Sequence, residues 1–142
     1  FTNYKKLVSG PGLGARAEAM GMHSLEVDGN DVLAVYRAAH ELVEAARKGQ
    51  GPATLICNTF RYGGHHSGEP GTAYRSKEEI ADWKAKDPLP RFEKVLLDHQ
   101  VVAPADIEAM HEEVLTRVQA SVTTAQAAAF PDISEVGEHV YA

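Results

Sequence analysis

A chain of 142 residues that is 44% hydrophobic and 24% charged has the composition of an ordinary globular domain, able to bury a core but short for a whole cofactor-dependent enzyme. It has neither the low hydrophobicity of a disordered chain nor an apolar run of membrane length, so a membrane role is not expected. Its 20 acidic residues outnumber 14 basic ones for a formal charge of −6, and the basic residues are scattered, so nucleic acid is not an expected partner either.

The chain begins Phe1-Thr2-Asn3-Tyr4-Lys5-Lys6, without an initiator methionine or a secretory leader, and reads as a fragment. Residues 1–14, with Gly10, Pro11, Gly12 and Gly14 closely spaced, are expected to be loop, at least from Leu7 on. A short helix is expected from Ala15 to Met20. Leu25-Glu26-Val27 then alternates in polarity and meets the turn cluster Asp28-Gly29-Asn30, which predicts a short strand ending at a bend. From Asp31 to Lys48 the apolar Val32, Val35, Leu42, Val43 and Ala46 recur at helical intervals, with Asn30 or Asp31 as cap and Gly49 as stop.

Ala53 to Phe60 is a short, mostly apolar run between turn signals, predicted to be a strand buried on both faces. Its Cys57 reads as a small buried hydrophobe with no disulfide partner, in keeping with a reducing compartment. Strand, helix and strand together predict a right-handed crossover, an α/β unit over residues 15–75. The stretch to Arg75 has no periodicity and is predicted to be a long loop. Residues 76–142 should be a helical region and tail of the same domain. Ser76-Lys77-Glu78-Glu79 has the form of a capping box that starts a helix running towards Lys86, in which Trp83 should anchor against the next helix. Asp87-Pro88 starts that next helix. The longest helix is expected from about Pro104 to Ala129, with Ile107, Met110, Val114, Val118, Val122 and Ala125 as a core or subunit-contact stripe, and Pro131 beyond its end. The tail, Ile133 to Ala142, should dock as a short extended or irregular piece.

Chemistry concentrates in one place. The run Arg61-Tyr62-Gly63-Gly64-His65-His66-Ser67-Gly68-Glu69-Pro70-Gly71-Thr72-Ala73-Tyr74-Arg75 sets guanidinium, imidazole and phenol groups on glycine-rich backbone at the C-terminal end of a predicted buried strand, where open α/β sheets bind ligands. An arginine and a histidine there can hold a phosphate, and an imidazole can donate to a developing oxyanion. A surface loop with solvated histidines is the bland alternative, and spacing does not decide between them.

The residues Phe60 to His66, with Glu69-Pro70-Gly71, Ala73-Tyr74-Arg75 and Lys77-Glu78-Glu79-Ile80, closely resemble the loop of the alpha subunit of pyruvate and branched-chain 2-oxo acid dehydrogenases. Ala15 to Gly21, Val27 to Val32 and Gly51-Pro52 carry the same likeness, in order, whereas Phe1 to Gly14 fits the family poorly. The resemblance implies the C-terminal portion of a doubly wound fold that binds thiamine diphosphate. It implies decarboxylation of pyruvate or a related 2-oxo acid, with acyl transfer to lipoyl groups. His65 aligns with the active-site histidine beside the diphosphate, Arg61 with the arginine that helps order the loop beside the cofactor, and Tyr62, Tyr74 and Arg75 with the residues that order and close it. A beta subunit and the lipoyl domain of an acyltransferase are the implied partners.

The family's glycine-aspartate-glycine motif for magnesium is absent from these residues, so the segment alone should not bind the cofactor. His66 and Ala73 stand where mammalian members carry phosphorylated serines, which implies a bacterial-type, cytoplasmic enzyme, or a matrix enzyme if it is mitochondrial. Acetoin or branched-chain 2-oxo acid activity are the rivals within the family, and a non-catalytic α/β interaction module is the rival outside it.

The remaining candidates have simpler explanations. Gly10 to Gly14 follows no strand and precedes no lysine-serine pair, so it is not a phosphate loop. His23, His40, His65 and His66 lack metal-ligand spacing, and no metal site is expected. His99, His111 and His139 lie outside any cluster, and Asp28 and Asp31 are assigned to capping.

Overall fold

The computed structural model describes residues 4–138 and 140. Phe1 to Asn3 of the expected opening loop, His139, and Tyr141 and Ala142 of the expected tail lie outside them. The chain divides between Leu96 and Leu97 into two compact units.

In the first unit, α1 (Tyr4–Leu7) and α2 (Leu13–Ala19) lead into β1 (His23–Asp28), α3 (Val32–Arg47) and β2 (Ala53–Asn58). The opening is thus not all loop. Tyr4–Leu7 closes one turn, with the Val8 amide on the Tyr4 carbonyl at 2.8 Å, and the Tyr4 hydroxyl donates to Asn58 Oδ1 at 3.2 Å. The two strands pair in parallel, His23 opposite Ala53 through Asp28 opposite Asn58, with α3 as the connection between them. The architecture is α/β, as the alternation of periodicities predicts. The buried apolar residues are Ala17 of α2 and Ala38 and Leu42 of α3, from the two helices that pack on the strands.

The strand β2 departs from expectation. It is half-buried rather than covered on both faces, and Cys57 is exposed, because the sheet has two strands among the described residues and nothing described lies over that side chain.

Where β1 ends, three hydrogen bonds set the bend. The Gly29 amide donates to the Asn58 carbonyl at 2.8 Å, the Asn30 amide to Asp28 Oδ1 at 3.0 Å, and the Ala34 amide to Asp31 Oδ1 at 2.9 Å. Asp31 therefore caps α3. Asp28 does not. Its other oxygen lies 2.8 Å from Arg91 Nη1, while Arg91 Nη2 lies 2.7 Å from Asp31 Oδ2. Arg91 belongs to α5 (Pro88–Asp98), which follows α4 (Lys77–Lys84). The hydrogen bond from Arg91, then that from the Asn30 amide, holds the Asp28 carboxyl below its usual range. Asn30 is only 4% exposed, and its side-chain amide is satisfied by the Lys86 carbonyl at 3.0 Å. That bond ties the end of β1 to the junction of α4 and α5.

The second unit contains α6 (Pro104–Ala127), whose start is held by the Ala103 amide on Asp106 Oδ2 at 2.7 Å. Its apolar stripe is not core within this unit: Met110, Val114, Val118 and Val122 are all exposed. The helix stops at Ala127, with Ala128 extended, short of both the expected Ala129 and Pro131. The tail, expected as a docked extended or irregular piece, forms a 3-10 turn over Ile133–Gly137, and Ile133 is 85% exposed.

Asp31→Ala removes both the cap of α3 and one partner of Arg91. In the complete subunit the change is expected to cost about 1–2 kcal/mol of unfolding free energy by denaturant titration. A stability indistinguishable from the parent would contradict the cap assignment.

Candidate functional site

Residues 59–76, between β2 and α4, form no regular secondary structure, yet they are closely cross-linked. Arg75 is the centre. Its Nε donates to the Gly71 carbonyl at 3.1 Å and its Nη2 to the Gly63 carbonyl at 3.0 Å, and its Nη1 donates to the Arg61 carbonyl. Its guanidinium also lies over the Phe60 ring at 4.9 Å and the Tyr74 ring at 4.8 Å, positions that a planar cation favours. One side chain thus joins the backbone at both ends of the loop.

A second set of contacts runs through Glu69, the single carboxylate between Arg61 and Arg75. Oε2 accepts from the His65 amide at 2.9 Å and from the Tyr74 hydroxyl at 3.2 Å, and Oε1 accepts from the Gly71 amide at 2.5 Å. The amide of His65 leads the causes that lower the Glu69 carboxyl below its usual range; the cost of desolvation comes next and opposes it, and the Gly71 amide and the Tyr74 hydroxyl add to the lowering. Two glycines make this possible. A Cβ on Gly64 would run into the Glu69 carbonyl, and one on Gly71, at φ +78°, into the Arg75 guanidinium.

Arg61 donates through Nε to the Gly63 carbonyl at 3.2 Å and through Nη2 to the Tyr74 hydroxyl at 3.3 Å. Tyr62 points the other way, its hydroxyl donating to the Trp83 carbonyl at 3.4 Å. Partial burial first, then the Asp87 carboxylate, pushes its phenol up. The loop is joined to α4 by rings as well. Phe60 stacks on Trp83, with centroids 5.3 Å apart and planes 7° from parallel. Trp83, expected to brace α4 against α5, makes its ring contacts instead with Phe60 and with Lys86, whose ammonium sits 5.4 Å over the indole.

His65 and His66 are exposed at the loop's tip, their rings 6.3 Å apart and edge to face, with His66 Nδ1 2.9 Å from the Ser67 carbonyl. The structure therefore brings Arg61, Tyr74 and Arg75 together directly and holds His65 through Glu69. Tyr62 lies apart from that cluster. The sequence reading missed Glu69 and the Phe60–Trp83 pair. A lone carboxylate among glycine amides was the available signal for the first.

The donor set suits a phosphate-bearing group. Glu69 spends its oxygens on amides and a phenol, Arg61 Nη1 has no hydrogen-bond partner among the described residues, and the two imidazoles follow four and five residues later in the same loop. A divalent cation is a different matter: among the described residues no three His, Cys, Asp or Glu side chains are grouped to hold a metal. An open cavity of about 170 Å³ lies away from the loop, where Asp31, Arg37, Pro88, Arg91 and Phe92 line a hollow between the starts of α3 and α5.

Comparison with known proteins bears on the same residues. The model of the family described as "Dehydrogenase E1 component" matches residues 2–134, which takes in the opening segment where motifs show little likeness. The chain is 36% identical over 132 residues to the pyruvate dehydrogenase E1 component subunit alpha of Porphyra purpurea, covering 93% of this chain and 38% of that protein. It is 34% identical over 143 residues to the subunit of the same name from Acholeplasma laidlawii, covering 99% and 41%. It is 35% identical over 136 residues to the 3-methyl-2-oxobutanoate dehydrogenase subunit alpha of Mycobacterium tuberculosis, covering 93% and 36%. The chain thus spans roughly two fifths of the length of these curated relatives.

Because folding lowers the Glu69 carboxyl, its contribution to loop order is present above the ordinary value of 4.5 and is lost as pH falls through the lowered one. Exchange protection of the His65 and Gly71 amides, corrected for intrinsic rates, is expected to fall as the pH is lowered below the ordinary 4.5 while amides of α3 stay protected, and Glu69→Gln should lack that acid-dependent part. Loop protection that does not change down to the acid unfolding of α3 would contradict it.

Proposed function

Since the chain belongs to the dehydrogenase E1 component family, we propose that it forms the C-terminal part of the alpha subunit of a thiamine-diphosphate-dependent 2-oxo acid dehydrogenase. In this reading the whole enzyme decarboxylates pyruvate or a related 2-oxo acid and transfers the acyl group to a lipoyl domain. The observation that carries it is the geometry of the loop at the end of β2: His65 exposed, with its amide fixed by Glu69, in the same cross-linked loop as Arg61, whose Nη1 has no hydrogen-bond partner among the described residues.

Thiamine diphosphate, when bound, supplies the electron sink that lets carbon dioxide leave. The chain's own residues then have separate tasks. Arg61 and the His65 imidazole are the residues of this chain that would hold the diphosphate, each as a hydrogen-bond donor. The imidazole of His65 also gives or takes a proton at the reacting oxygen or at the lipoyl sulfur, a role open to a group reached from solvent by a partner domain. Arg75, Tyr74 and Tyr62 keep the loop in one shape, so that this donor is already aimed when substrate arrives. Magnesium is held by residues outside this chain, and a beta subunit completes the site.

Relatives named for pyruvate and for 3-methyl-2-oxobutanoate stand at similar identity. Glu69-Pro70-Gly71 favours the pyruvate group, whereas Gly64-His65-His66-Ser67 resembles the branched-chain one, so the branched-chain substrate is the second reading. His66 and Ala73 in place of the regulatory serines favour a bacterial-type, cytoplasmic enzyme over one of the mitochondrial matrix and argue against kinase control at those two positions, although Ser67 remains in the loop.

In the complete enzyme, His65→Ala is expected to lower the rate of reductive acylation of an isolated lipoyl domain at least about tenfold, or roughly 1.4 kcal/mol in the barrier. Unchanged turnover would sink the assignment of His65.

A further inference from the structure

The contacts that leave the loop converge on a residue outside it. Trp83, the chain's single tryptophan, is the next-to-last residue of α4 and meets two alternate residues at the loop's entrance. Phe60 stacks on its indole at 5.3 Å, and the Tyr62 hydroxyl reaches its carbonyl at 3.4 Å. The Phe60 and Tyr62 rings lie 6.0 Å apart, and one helix end receives both. The same Phe60 ring lies under the Arg75 guanidinium, which binds the carbonyls of Arg61, Gly63 and Gly71. Arg75 in turn directly precedes Ser76, whose hydroxyl caps α4 by accepting from the Glu79 amide at 3.0 Å. The first turn of α4 therefore fixes the arginine, and its last turn fixes the ring on which the arginine rests.

We propose that Trp83 is a positioning residue for the loop that carries His65, acting through Phe60 and Arg75 so that the order of the loop depends on the indole at the far end of α4. The proposal rests on the reading of His65 as the reacting group only for its effect on turnover. Its effect on loop order stands apart. Without the indole, Phe60 loses its stacking partner, the ring under Arg75 is less fixed, and the strap across residues 61–75 opens more often.

Trypsin reads that opening directly, since Arg61 and Arg75 are themselves the loop's cleavage sites and cleavage follows local opening. In the complete enzyme with its companion subunit, Trp83→Leu is expected to speed cleavage after Arg61 and Arg75 about fivefold or more and to lower kcat by a similar factor, at an unchanged unfolding midpoint of the fold. Trp83→Phe, which keeps a stacking ring, should restore both to within about twofold. Phe60→Leu removes the other ring and should reproduce the effect of Trp83→Leu even if that variant does not assemble. Cleavage and kcat like the parent's in Trp83→Leu, or cleavage like the parent's in Phe60→Leu, would overturn the proposal, as would Trp83→Phe behaving like Trp83→Leu. Because cleavage is measured without turnover, a silent His65→Ala would remove the chemical reading and leave the positioning claim to be judged on cleavage alone.

Discussion

Three backbone carbonyls, of Arg61, Gly63 and Gly71, accept from the one guanidinium of Arg75, which also rests on the ring of Phe60. A loop this rich in glycine has much conformational freedom to lose, of order 1–2 kcal/mol per residue ordered, and no ladder of its own to compensate. Charge-assisted bonds to backbone carbonyls are the strongest polar contacts available to it. Their fan-like geometry suits a planar fork with five donors and would not suit a lysine. The internal carboxylate completes the arrangement, because Glu69 absorbs the amides of His65 and Gly71 that the turns would otherwise leave unpaired.

The scaffold beneath explains where this loop emerges. A parallel pair of strands joined through α3 brings the C-terminal ends of β1 and β2 side by side, so that the Asp28-Gly29-Asn30 bend and the start of the loop share one edge. Arg91 fastens that edge by bridging Asp28 and Asp31, and Asn30 fastens it again through the Lys86 carbonyl. Both charges of the Arg91 pair are substantially open to solvent, so its value lies in fixing the geometry of the bend more than in raw stability. The α/β unit thus presents a polar edge, and the family's chemistry is proposed to take place there.

Much of this was legible in the residues. The apolar intervals of 31–48 and the Asp31 cap place α3 to within a residue, Ser76 marks the start of α4, and Asp87-Pro88 that of α5. The break at residues 59–76 follows from its glycines. What the sequence hid was tertiary. Nothing local says that Arg91 reaches back some sixty positions to Asp28 and Asp31, or that Trp83 stacks on Phe60. Cys57 was expected to be buried and is exposed, and the stripe Met110, Val114, Val118 and Val122, expected as core or subunit contact, is not core within its unit; an apolar pattern says that a face can be covered, not what covers it. At the site, the histidine and arginines stood out by chemical type. Glu69 did not, because a carboxylate in a polar loop looks solvated until the amides it accepts from are seen.

The central claim, that a loop held by Arg75 and Glu69 aims the His65 imidazole at a phosphate-bearing cofactor, is tested most directly by a crystal structure of the complete enzyme with thiamine diphosphate and magnesium. The account predicts a ring nitrogen of His65 within hydrogen-bond distance of the diphosphate or the reacting end of the cofactor, with the Arg75 and Glu69 contacts intact. An imidazole turned to bulk solvent above an ordered cofactor would contradict it.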